Sequence, residues 1–189
     1  MKTSKPKNNF DPIAIVISCI AALLRLIQGY NFNPMGGISL FSGAKVTGPL
    51  GWFLPLILLF ATDIVLIGPL KQKGFDSFSP ITFVVYGSFL FYVLLGKYFV
   101  KTNKIPEIIL FSALGSLQFF LVTNFAVWFG ADTVTFTSDF KGLMTCYMDA
   151  LPFFGYTLVG DLFYSLGIFG MHALVTQKLS AKAEVSVNS

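Results

Sequence analysis

Charge is what this chain has least of: Asp, Glu, Lys and Arg together make up 12% of its 189 residues. A single histidine, His172, excludes a bis-histidine haem site and reads as an interfacial polar group near a helix end. Two cysteines, Cys19 and Cys146, stand far apart and make neither a disulfide framework nor a Cys-x-x-Cys metal site, so they read as small apolar residues in packed helices. No Gly-x-x-x-x-Gly-Lys phosphate loop occurs, and any ATP coupling must therefore come from another chain. Nor is there a basic face interleaved with aromatics, which removes nucleic acid as a partner. No cofactor and no metal ligand set is expected.

What remains is apolar. Hydrophobic residues make up 54% and aromatics 16%, with 22 Phe and a mean hydropathy of +0.73, which predicts an all-α integral membrane protein with the lipid bilayer as solvent. The chain is long enough for one membrane domain, predicted over 12–176, with cytoplasmic tails at 1–11 and 177–189. Lysines before the first apolar run imitate a secretory signal. No small-residue cleavage site follows, however, and Arg25-Leu26-Ile27-Gln28 is a poor substitute, so this run is expected to stay as the first helix.

Apolar runs at about 12–28, 35–47, 50–69, 80–99, 107–129 and 151–176 predict six transmembrane helices, the second short, glycine-rich and irregular. Six crossings with the N-terminus inside put nine lysines on the cytoplasmic side: Lys2, Lys5, Lys7, Lys45, Lys97, Lys101, Lys104, Lys178 and Lys182. Only Lys71, Lys73 and Lys141 are then outside, and the net charge of +4 becomes a topology signal. The expected location is a bacterial inner membrane with both termini cytoplasmic.

Against this background the polar residues within the runs stand out. An ion in hydrocarbon costs at least about 2.5–3.5 kcal/mol and needs a partner, a wet cavity or a job. Arg25, Asp63, Tyr86, Asn124, Trp128 and Asp161 all fall in the outer halves of their helices, as a substrate site opening outward requires. The simpler reading is a buried Arg–Asp network that only fixes helix packing. One arginine against two aspartates leaves a formal charge of −1, which favours a cationic or zwitterionic small-molecule ligand. Ala14, Ser18, Ala21, Ala22 and Arg25 share one face of helix 1, where small residues admit another helix, within the bundle or from a partner subunit. The polar segment 131–149 is expected as an outer loop, a solvated connection or a lid.

Several segments resemble a known family: Asn31-Phe32-Asn33-Pro34-Met35, Leu40-Phe41-Ser42-Gly43-Ala44, Val85-Tyr86-Gly87-Ser88-Phe89, Thr123-Asn124-Phe125 within 119–128, and Cys146 to Phe154 with Thr157-Leu158-Val159-Gly160-Asp161. Together they resemble the bacterial transport family called domain of unknown function 6580, over about 12–172. The pattern is also distantly similar to the S components of energy-coupling-factor transporters, six-helix proteins that bind a vitamin or metal in an outward pocket. That likeness implies a substrate-capture subunit working with an energising membrane subunit and its ATPases. It also implies docking through Ala14, Ser18 and Ala22, a degenerate version of the S-component alanine stripe. Family members often have His-Pro-Pro where this chain has Gln28-Gly29-Tyr30, so a histidine-dependent role there has no support.

An enzyme is not expected. The rival of that class is an intramembrane aspartyl protease built on Asp63 and Asp161, but Leu158 stands where a Gly-x-Gly-Asp motif has its first glycine.

Overall fold

The computed structural model describes residues 11–27, 32–72, 79–102, 104–131 and 136–187. The N-terminal lysines, Gln28-Gly29-Tyr30 with Asn31, the loop with Lys73, and 132–135 of the expected lid lie outside the described residues. Six helices are present, with no strand among the described residues: α1 (Pro12–Leu24), α2 (Met35–Lys45), α3 (Leu50–Gln72), α4 (Pro80–Phe99), α5 (Ile105–Ala126) and α6 (Phe140–Val187). A π-helical turn, Val127–Ala131, continues α5.

Four of them, α3 to α6, are long and apolar enough to cross a membrane. At 1.5 Å per residue α2, with its 11 residues, is only about 16 Å long and α1, with 13, about 20 Å, both short of a hydrocarbon core of about 30 Å. The surface is that of a membrane protein: Phe83 (81% exposed), Ile27 (80%) and Phe163 (63%) face outward.

Expectation and structure differ most at α6. Residues 140–149, read from sequence as loop, are helical, and so is 177–187 of the expected tail. Lys141, Thr145 and Asp149 lower the local hydropathy without interrupting the backbone ladder, so hydropathy alone misses this turn-by-turn extension. Asp139 starts the helix: its Oδ1 accepts from the Gly142 N–H (2.8 Å) and the Thr137 hydroxyl (2.6 Å). The Thr137 hydroxyl and then the Gly142 N–H outweigh desolvation and hold the Asp139 carboxyl below its ordinary pKa. Pro152 lies inside α6, where its missing N–H leaves the Met148 carbonyl without its helical donor.

Contacts at the helix ends fix their directions. Asp11, the N-cap of α1, accepts from Ala14 N (3.0 Å), and its Oδ2 lies 2.8 Å from Nε2 of His172 on α6. Burial raises the Asp11 carboxyl, but the Ala14 N–H and His172 overcome it and leave the pKa lowered. Lys97, near the end of α4, holds its Nζ 4.8 Å from the Trp52 ring at the start of α3. The starts of α1, α3 and α5 therefore share one end with the ends of α2, α4 and α6. This is the lysine-rich end, carrying Lys45, Lys97, Lys101, Lys104, Lys178 and Lys182. The α1–α2 pair rises from that end and returns to it, which leaves the sides of all later loops as they would be after two full crossings.

Short as it is, α2 occupies the centre of the bundle, touching all five other helices. Every residue from Met35 to Ser42 is buried. Its glycines make this possible: a Cβ on Gly43 would overlap the Val93 carbonyl of α4, and one on Gly96 of α4 would overlap the Leu40 carbonyl. Backbone thus packs directly on backbone, as small residues permit between helices in lipid. Phe41 then fills the layer below, edge-on to Phe169 at 5.0 Å between ring centroids. Ala14, Ser18 and Ala22 are themselves buried inside this chain. The stripe expected to dock a partner subunit is already used by internal packing, with Ser18 Oγ returned to the Ala14 carbonyl at 2.8 Å.

Candidate functional site

Two tyrosines of α4 divide the membrane carboxylates between them. Tyr86 and Tyr92 are six residues apart, which in an α-helix is about 9 Å along the axis and about 120° around it. Each donates its hydroxyl to a different aspartate: Tyr86 to Asp63 Oδ2 at 2.8 Å, Tyr92 to Asp161 Oδ2 at 2.5 Å.

The Asp63 group is closed. Arg25, at the C-terminus of α1, pairs through Nη2 with Asp63 Oδ1 at 2.6 Å, and its Nη1 donates to Thr62 Oγ1 at 2.6 Å. The side chains of Arg25 and Asp63 are 17% and 11% exposed. Both carboxylate oxygens are engaged, one by a guanidinium and one by a phenol. Thr62 in turn donates to the carbonyl of Leu58 (2.8 Å) or Leu59 (2.9 Å), one turn back on α3.

Asp161 has no such counterion. It is 4% exposed, and among the described residues no cationic side chain pairs with it. Two hydroxyls serve its Oδ2, that of Tyr92 and that of Ser116 at 2.7 Å. The carboxylate also lies against the first turn of α2, where a Cβ on Gly36 would overlap it. That turn presents the positive end of a helix dipole to the carboxylate. A cavity of about 40 Å³ adjoins Asp161, lined also by Asn33, Phe89, Tyr92, Phe119 and Thr157. Phe89 and Phe119 pack at 5.3 Å between centroids, and Asn33 Oδ1 accepts from Met35 N at 3.0 Å, holding the entry to α2.

Of the residues expected to share one pocket, Arg25, Asp63 and Tyr86 come together as an ion-pair group, and Asp161 alone of the six lines this cavity. Asn124 donates its amide to the Phe120 carbonyl of its own helix at 2.8 Å. Trp128 donates Nε1 to the Thr137 carbonyl at 3.0 Å, tying the π-helical turn to the segment before α6. The sequence places these residues at similar depth, but depth does not fix which face of a helix a side chain occupies. Tyr92, Ser116, Asn33 and Thr157 were missed. The available signals were the Ser112/Ser116 pair at helical spacing and an asparagine just before a glycine-rich helix. No three of His, Cys, Asp and Glu are grouped as metal ligands among the described residues.

A family model described as "Family of unknown function (DUF6580)" matches residues 5–183. No curated protein and no solved structure matches the chain.

Proposed function

The chain belongs to the DUF6580 family of unknown function, and we propose that it captures a small solute by a cationic, ammonium-type head at Asp161. The observation carrying this reading is a nearly inaccessible carboxylate, without a cationic partner among the described residues, beside a cavity with aromatic walls. A volume of about 40 Å³ is a few times the roughly 10–15 Å³ that a single water needs, so it admits a head group and not a whole vitamin. The remainder of the solute would extend past Asn33 and Thr157, toward the end opposite the lysines. With the lysine-rich end cytoplasmic, the site faces outward. Tyr92, Phe89 and Phe119 supply ring faces for a cation, worth about 0.5–2 kcal/mol each by desolvation, and Asn33 and Thr157 supply polar contacts.

In this reading Arg25, Asp63 and Tyr86 hold α1, α3 and α4 together and bind no solute. The protein is a capture subunit of a transport system and not an enzyme. Each aspartate has its own tyrosine on a different face of α4, which argues against a protease dyad sharing one proton. The inner part of the bundle is filled by Phe41 and Phe169, so release toward the lysines requires rearrangement, driven by an energising membrane subunit with ATPases in the manner of S-component systems. That subunit would dock on a surface other than the buried Ala14–Ser18–Ala22 stripe.

Methylammonium and ethylammonium are the simplest probes. Near a hundredfold excess over Kd either should stabilise the purified protein by about 2.7 kcal/mol, read as a rise in thermal midpoint. Methanol and acetate should not. Asp161→Asn should fold and lose the response; an equal response in that variant, or none in the wild type at any concentration, would contradict the reading.

A further inference from the structure

At the lysine-rich end, α2, α5 and α6 enclose a groove of about 720 Å³ that has no part in the Asp161 site. Its walls change character along α6. Leu166 and Phe169 lie deep with Ile108 of α5 opposite, and Gln177 and Ser180 stand at the rim. At Gly170, between the two zones, an added Cβ would meet nothing within 4 Å, so the slot between the helices is open there.

Lys45, the last residue of α2, reaches into the rim half-buried. It makes no hydrogen bond or ion pair among the described residues. Asp11 is near enough for its charge to favour the Lys45 ammonium but forms no ion pair with it, and the acids of that end direct their hydrogen bonds elsewhere. Asp11 serves Ala14 N and His172, and Glu107 serves the backbone N–H groups of Lys101 and Thr102 at 3.0 and 2.8 Å. Lys104 and Lys178, exposed and next in sequence to the lining residues Ile105 and Gln177, add the same sign to that end.

An apolar slot that ends in an unpaired ammonium at the water-facing end of the bundle has the polarity of an amphiphile with an anionic head. We propose that the groove seats an anionic phospholipid. One acyl chain lies between α5 and α6 along Ile108, Leu166 and Phe169, and the phosphate meets Lys45. An apolar partner helix would cover the walls but bring no anion to the Lys45 ammonium. A zwitterionic lipid brings a phosphate together with its own cation and gains less from the lysine.

Native mass spectrometry of the full chain in detergent, with phosphatidylglycerol and phosphatidylcholine added in equal amounts, tests this. Phosphatidylglycerol should be retained over phosphatidylcholine by about fivefold, the factor expected for one well-placed lysine. Lys45→Gln should abolish the preference, and Lys178→Gln should leave most of it. Gly170→Leu fills open space without a clash and should expel the bound lipid of either kind, which keeps the test decisive if the Lys45 variant folds poorly. Equal retention of the two lipids by the wild type, unchanged retention in Gly170→Leu, or displacement of the lipid by inorganic phosphate alone would overturn the proposal.

Discussion

Replacing Arg25 with leucine should cost this protein about 3–5 kcal/mol of stability, because removing one partner of a buried ion pair strands the other. The stranded group is Asp63, 11% exposed, left with a single phenol donor from Tyr86. Thr62 loses its guanidinium donor at the same time. Asp63→Leu should be nearly as damaging, since it leaves the guanidinium on an apolar face with only Thr62. The double variant Arg25→Leu/Asp63→Leu should recover most of the loss, as apolar replacements of whole pairs commonly do. Reversible unfolding in detergent, arranged as a double-mutant cycle over the four proteins, measures the coupling. Additive single effects would mean that the pair is not a structural unit. They would also reopen Arg25 as a ligand for a substrate carboxylate.

A smaller but still substantial loss is expected from a single methyl group where α2 crosses α4. Gly43→Ala and Gly96→Ala each drive a Cβ into a facing backbone carbonyl, that of Val93 or Leu40. Backbone cannot rotate away as a side chain can, so the helices must separate. Overpacking of this kind costs about 1–3 kcal/mol and occasionally more, and here separation would also loosen the Phe41–Phe169 layer below. Gly87→Ala, on the same helix but with nothing within 4 Å of an added Cβ, is the control and should be neutral or slightly stabilising. Thermal midpoints of the three variants decide the matter. Equal midpoints for Gly96→Ala and Gly87→Ala would show that α2 does not pack as closely as described.

These two sites also mark what could be read from the chain alone. That Arg25 pairs with one of the two aspartates was legible, because an unpaired ion in lipid is costly and the run lengths put all three at one depth, but the choice of Asp63 over Asp161 was not. The small-residue stripe of α1 was legible as a packing face, although its choice between bundle and partner was not. The central position of α2 was hidden. Hydropathy scores a segment by its own residues, and Met35-Gly36-Gly37 scores weakly for the same reason that it packs well: glycine has no side chain to contribute. The early start of α6 was hidden by Lys141, Thr145 and Asp149, polar residues that a helix carries without difficulty.

The candidate site was half legible. Asp161 stood out as a membrane carboxylate, whereas its separation from Asp63 depends on which neighbour each helix face meets, a relation between distant segments that periodicity does not contain. Tyr92 belonged by position to the lower part of α4, and its long side chain reaches the carboxylate past Gly115, where a Cβ would strike the tyrosine ring. Ser116 and Asn33 are common residue types whose role depends entirely on the carboxylate beside them.

Native mass measurement of the freshly purified protein, searching for a retained small molecule, tests solute capture most directly. The account predicts a cation-bearing species held by the wild type, retained by a variant of the exposed Lys178, and absent from a folded Asp161→Asn protein. The same species held equally by Asp161→Asn, or a retained solute whose only charge is negative, would contradict it.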